Sequence, residues 1–191
     1  MHDLPTGSPK SKKQVDKERR AVGGSILRLQ RRDINSDWQF VPNDALNRRV
    51  DGTTRIPFVG GRILGSASAV GTNERILSTQ EAFYKWHEHY PENPENYGWV
   101  VEVDPQTGAS KKLLALGRFA HEGATAVVAP DGRCVVYMGD DKEDECVYKF
   151  ISKSSNSLHT GDLYVADLTA GEWKLLDREK NPVLKSAFKS Q

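Results

Sequence analysis

An all-β fold is what this chain predicts, and three observations carry the reading. Its apolar runs are short and repeatedly interrupted, of strand length rather than helix length. Between them lie Pro105-Gln106-Thr107-Gly108, Pro130-Asp131-Gly132 and Thr169-Ala170-Gly171, where proline presets the first turn angle and glycine accepts a positive φ. Helix-favouring composition is concentrated near the start, in the Lys-, Glu- and Arg-rich residues 10–20. Taken in order, the pattern predicts a helix over 10–20 and strands over 25–30 and 38–41. Asn47-Arg48-Arg49 then reads as a loop, followed by a strand over 75–79 and a helix over 80–89 that ends before Pro91 and Pro94. Further strands are expected over 98–104, 112–116, 124–129, 133–138, 147–152, 162–168 and 172–176. Strands separated by such turns return as hairpins. That spacing fits a sandwich, a barrel or propeller blades, and the period does not choose among them. The pairs 124–129 with 133–138 and 162–168 with 172–176 resemble the outer strands of a blade.

The 191 residues carry 27 Lys and Arg against 26 Asp and Glu, so net charge decides little, but its distribution does. Lys10, Lys12, Lys13, Lys17, Arg19, Arg20, Arg28, Arg31 and Arg32 crowd the start. This divides the chain into a basic, helical N-terminal segment over 1–24 and a β domain over 25–191. The basic arm has no interleaved aromatic residue on which a base could stack, so a solvated helix is expected there and nucleic acid is not an expected partner. No apolar run is long enough to span a bilayer, and the start lacks the apolar core of an export signal. Cys134 and Cys146 lack the spacing of a metal motif. Cys134 sits in an apolar strand as a small hydrophobe, and a bond to Cys146 across a hairpin would need an oxidising compartment.

Chemistry concentrates where acidic groups sit beside glycine at the ends of strands. Glu122, between His121 and Gly123, lies on the connection from one strand to the next, and Asp140 and Asp141 follow Gly139 at the end of another. Hard cations such as Ca²⁺ take six to eight oxygens, so carboxylates gathered from separate loops suit them. An Asx-turn at Asp140 and a satisfied loop at Glu122 are the bland alternatives, and both stay open. Lys149, between Tyr148 and Phe150, faces away from its neighbours by strand alternation, toward solvent, a phosphate or the acidic loops. Arg48 and Arg49 offer planar forks that could clamp an oxyanion or simply hydrate a surface. The histidines lack zinc spacing, and no nucleophile elbow or phosphate-cradling loop is present. Zinc hydrolysis, serine hydrolysis and nucleotide binding are therefore not expected.

These motifs, in order, resemble the bacterial PhoX-type alkaline phosphatase family. The segments are Arg19-Arg20-Ala21-Val22-Gly23-Gly24-Ser25-Ile26, Val41-Pro42 with Asn47-Arg48-Arg49, and residues 97–105, 116–123, 135–141, 148–152 and 161–166. The resemblance implies a six-bladed β-propeller around an iron and calcium cluster, exported by the twin-arginine route to the periplasm or beyond, and hydrolysing phosphate monoesters. It makes Glu122 a metal ligand, Asp141 with Asp140 beside it a calcium-side ligand, and Glu81 the second glutamate of a Glu-Glu-Asn motif. Arg48, Arg49 and Lys149, with the anion-binding chemistry described above, are the candidate substrate contacts. The sequence departs from the pattern at the loop holding the cysteine that bridges the irons, where an ungapped alignment places Ser66 and an alignment on Gly71-Thr72 deletes the loop, and Gln80-Glu81-Ala82 keeps one glutamate of the pair. Calcium is thus the expected cofactor, and iron lacks its thiolate. At roughly forty residues per blade, the chain supplies a partial propeller. Open sheet edges would then invite self-association. The alternative function is a non-catalytic, propeller-like binding or structural module with a residual calcium site.

Overall fold

The computed structural model describes residues 10–59, 89–90 and 97–187. The expected strand at 75–79, nearly all of the expected helix at 80–89, Ser66 and Glu81 lie outside them. The chain forms two compact units, one of residues 1–56, 65–96 and 103–110, the other of residues 57–64, 97–102 and 111–191. Among the described residues no helix is long and apolar enough to cross a membrane.

The first unit opens with helix α1 (Lys12–Ala21), close to the expected 10–20. A capping box starts it: the Ser11 hydroxyl accepts from the Gln14 N–H at 3.3 Å, and the Gln14 side chain accepts from the Ser11 N–H at 2.8 Å, so two otherwise orphaned donors are satisfied. Val15 and Arg19 form its buried stripe. The Arg19 guanidinium lies 3.9 Å from the centre of the Tyr90 ring, where the ring's electron-rich face stabilises its charge. Strand β1 (Gly23–Ile26) pairs antiparallel with β4 (Arg48–Asp51), and β2 (Leu29–Gln30) with β3 (Gln39–Phe40). Two expectations are corrected here. The single strand over 25–30 is broken, because its two halves find different partners. Arg48 and Arg49 lie on a strand rather than a loop, opposite Ile26 and Ser25.

The second unit holds two open sheets. In the smaller, β5 (Phe58–Val59), β7 (Ser110–Arg118) and β6 (Trp99–Val103) lie in that order. Here β5 runs parallel to β7, an exception to the expected run of hairpins, since parallel neighbours need a crossover connection. The larger is a sequential antiparallel meander of β8 (Thr125–Val128), β9 (Arg133–Gly139), β10 (Val147–Ser155), β11 (Gly161–Asp167) and β12 (Glu172–Leu175). Both strand pairs that resembled blade edges belong to this one sheet, with β10 between them. Its register sets Phe150 opposite Val136 on one side and Leu163 on the other, so one face is apolar across three strands. Phe150, Val136 and Met138 are buried there with Leu113 and Leu116 of β7, and Val59, Val100, Phe119, Tyr148 and Leu163 pack around them. Gly161 lets the chain pass over this core: a Cβ there would lie 2.3 Å from the Phe150 ring and 2.4 Å from the Ile151 carbonyl. Cys134 and Cys146 are free thiols. An element not anticipated closes the description, helix α2 (Pro182–Ala187). The Asn181 side chain accepts from the N–H groups of Val183 and Leu184 at 3.0 and 3.3 Å, and proline fills the first helical position.

Candidate functional site

The connection from β7 to β8 carries Glu122, and its course is fixed by the residues just before it. Gly117 adopts φ +84°, and a Cβ there would lie 2.8 Å from Leu163 and 3.1 Å from Phe119, so only glycine fits this close approach. Beyond Arg118 the chain meets the end of β9. His121 forms a single antiparallel bridge with Asp140, the Glu122 N–H donates to Gly139 O at 3.2 Å, and the Asp141 N–H donates to Ala120 O at 2.8 Å. These bonds bring together two loops that the sequence offered only as separate candidates.

The bridge also sorts the side chains. Across an antiparallel pair, directly opposite residues share a face and the next diagonal neighbours share the other. His121 and Asp140 therefore occupy one face, and Glu122 and Asp141 the opposite one. Exposure agrees: Glu122 and Asp141 are exposed, His121 and Asp140 half-buried. On the half-buried face the His121 Nε2–H donates to the Gly117 carbonyl at 3.2 Å. A carbonyl can only accept, so Nε2 carries the proton of this bond. Burial holds the His121 pKa below its ordinary value, against the opposing pull of the Gly117 carbonyl and the Asp140 charge. The ring lies 3.6 Å from Phe119, which stacks at 4.2 Å and 22° on Tyr148. The Tyr148 phenol is pushed up to about 12, by burial first and then by the charges of Cys146, Asp140 and Glu145.

Two atoms on this face, His121 Nδ1 and Asp140 Oδ1, are inaccessible to solvent and have no hydrogen-bond partner among the described residues. A buried carboxylate oxygen without a donor is costly, and a cation is one species that satisfies it. Among the described residues no three His, Cys, Asp or Glu side chains converge as a complete metal site. Asp140 faces away from Glu122 and Asp141, so the bridge brings the two acidic loops together without converging all three carboxylates on one point.

The remaining candidates stand elsewhere. Arg49 donates from Nη2 to the carbonyls of Arg20 at 2.7 Å and Ala21 at 3.0 Å, and from Nη1 to Ser25 Oγ at 3.0 Å. It thereby caps the C-terminus of α1, where a cation also complements the helix dipole. Arg48 donates to the carbonyls of Ala45 and Asn47. Lys149 faces away from Tyr148 and Phe150, as strand alternation requires, and its ammonium lies 4.4 Å from the Trp173 ring centre and 5.2 Å from that of Tyr164. Burial lowers its pKa. The pairing of His121 with Asp140 was not anticipated from the sequence, which weighed His121 only against zinc spacing.

The family model described as alkaline phosphatase PhoX matches residues 63–187. The structure of Pseudomonas fluorescens PhoX in complex with vanadate, a transition state analogue, superposes with a TM-score of 0.73 at 27% identity, covering 97% of this chain and 45% of that one. The chain therefore spans less than half the length of that relative. No curated protein matches. With the family model running from ahead of the Glu122 connection to the end of α2, the chain belongs to the PhoX alkaline phosphatase family.

Proposed function

We propose that this chain carries part of a metal-dependent phosphate monoester hydrolase site, with calcium held by the carboxylates of Glu122, Asp140 and Asp141. The observation that supports it is the His121–Asp140 bridge, which joins the two acidic loops, beside an Asp140 Oδ1 that is buried without a donor among the described residues. Presented from both faces of one bridge, these carboxylates suit a centre of more than one ion, as the family resemblance implies. Hard oxygen donors favour Ca²⁺, while the loop in which the family carries its bridging thiolate offers Ser66. Bound cations would supply charge that polarises the phosphoryl oxygens and orients the attacking oxygen. The chain's own part is to hold three carboxylates on a hydrogen-bonded turn above a packed core. Glu81 is proposed as a further ligand, and Arg48, Arg49 and Lys149 as phosphate contacts once the rest of such a site is assembled. A partial propeller, working in the periplasm or outside the cell, is the setting this reading implies.

The test is hydrolysis of an aryl phosphate by the purified chain. Turnover that requires Ca²⁺ and is lost in Glu122→Ala supports the hydrolase. A rise in melting temperature with Ca²⁺ but no turnover favours the second reading, a non-catalytic module with a residual calcium site. No response of either kind removes both.

A further inference from the structure

The β8–β12 sheet has a second face, opposite the one that carries Phe150, and its composition is not that of a face meant for water. An antiparallel sheet with one solvated side alternates apolar-in with polar-out. Here the outward positions are apolar as well. Val127 of β8, Tyr137 of β9, Val147 of β10 and Trp173 of β12 lie on that side by register, and each is 37–48% exposed. Within the unbroken register of the five strands this face holds one ammonium, Lys149, and one carboxylate, Asp162. Arg133 lies beyond the register shift that follows Ile151 and is tied to Asp131 at 2.7 Å. The Lys149 ammonium is already covered by the Trp173 and Tyr164 rings, 4.4 and 5.2 Å from their centres, so it can enter an apolar interface without giving up a full hydration shell. Size also matters. Seven-residue strands at ~3.3 Å per residue and five strands at ~4.8 Å spacing give roughly 500 Å² per copy, or about 1,000 Å² for a pair, where specific association begins.

The charge layout identifies the occupant. By register Lys149 stands opposite Tyr164, and Asp162 stands opposite Ile151, two positions along, so the two charges are diagonal neighbours on one face. Lys180, whose charge interacts with Asp162, is paired with Asp177 at 3.2 Å. A second copy of this chain must complement the face with the same face. One cation and one anion side by side achieve that: a twofold axis running between them sets each ammonium against the other copy's carboxylate, while the apolar positions cover one another. A partner whose surface carries a single sign would leave one of the two charges unpaired. We propose that the outward face of the β8–β12 sheet is the interface of a symmetric dimer of this chain, registered by reciprocal Lys149–Asp162 pairs. Such a dimer is closed, unlike association through sheet edges, where each added copy presents a new edge. It is independent of the cation reading, whose acidic loops lie before β8 and after β9, and it gives Lys149 a task other than a phosphate contact.

Sedimentation velocity of the 191-residue chain over a range of concentrations reads the stoichiometry. A single monomer–dimer step is expected, with a Kd on the order of 10 µM for an interface of this size. Tyr137→Glu places an anion opposite Lys149 within the sheet, a pair that keeps the monomer's melting temperature close to the parent's. It also buries an extra carboxylate from each copy and should weaken the dimer by at least about tenfold. Lys149→Asp and Asp162→Lys should each weaken the dimer by about tenfold, and the double exchange should return it to within about threefold of the parent, a rescue that loss of folding cannot produce. A chain that stays monomeric up to about 200 µM, oligomers that grow past the dimer, or a dimer indifferent to Tyr137→Glu and to the single charge reversals would each overturn the proposal.

Discussion

The β8–β12 sheet and the N-terminal unit are built from the same twenty side chains but stabilised by different physics. In the sheet, Phe150, Val136 and Met138 lie on one face in consistent register and exclude water with Leu113 and Leu116. In the N-terminal unit, among the described residues, Val15 is buried and Ile26, Leu46 and Val50 are half-buried, while Leu27, Leu29, Ile34, Trp38 and Phe40 are each at least half exposed. That unit is organised by polar contacts instead, among them the Ser11–Gln14 capping box, the Arg49 cap on α1 and the Asp51 turn. Burial is non-directional and sums over many contacts, whereas caps and turns are worth about 1 kcal/mol each and depend on single atoms. The acidic loops that form the candidate site rise from the apolar region. Precise carboxylate placement needs the stiffer support.

The comparison can be broken most forcefully at Phe150. Phe150→Ala removes the most central ring of the sheet and should cost roughly 3–5 kcal/mol in urea unfolding, with hydrogen exchange accelerated throughout β9–β11. Protection in α1 should change far less. A uniform loss in both regions would show that they unfold as one. Next in size, Arg49→Ala uncovers the carbonyls of Arg20 and Ala21 and should cost about 1 kcal/mol, confined to the amides of α1 and β4. If phosphate affinity falls instead, with α1 unaffected, the arginine serves a ligand rather than the helix.

The smallest effect concerns pH. Asp51 accepts from the Thr53 hydroxyl at 2.7 Å and the Thr53 N–H at 2.9 Å. These bonds, the hydroxyl first, hold its carboxyl below the ordinary value. A folded-state pKa below the unfolded one contributes stability that is complete above about pH 4 and is lost as pH falls through the lowered value. Asp51→Asn should therefore flatten the acid limb of the N-terminal unit's stability, read as α1 ellipticity between about pH 5 and pH 2, and leave the sheet's profile alone. An unchanged limb would assign the acid sensitivity to other groups.

Strands β6 to β12 were legible because their signals are local. Short apolar runs bounded by Gly108, Gly132 and Gly171 mark each strand without reference to a partner. Strand β4 was not legible: Arg48-Arg49-Val50-Asp51 has no apolar alternation and is a strand only because β1 lies beside it. The two-residue β5 owes its existence to parallel pairing with Lys112 and Leu113. Helix α2 did carry a signal, Asn181 followed by Pro182, too short to register as an apolar period.

For the site the same division holds. The residue types and their glycine neighbours already marked Glu122, Asp140 and Asp141 as candidates, since a carboxylate beside a turn glycine is a property of a few adjacent positions. Which of them share a face is a property of the bridge between residues 121 and 140. Chain composition by itself determined an all-β protein with a basic helical start and acidic turns, because propensity and turn geometry act over a few residues. Only the tertiary structure decided the partners, because hydrogen bonds and burial between distant segments depend on where the chain returns, and no local pattern encodes that.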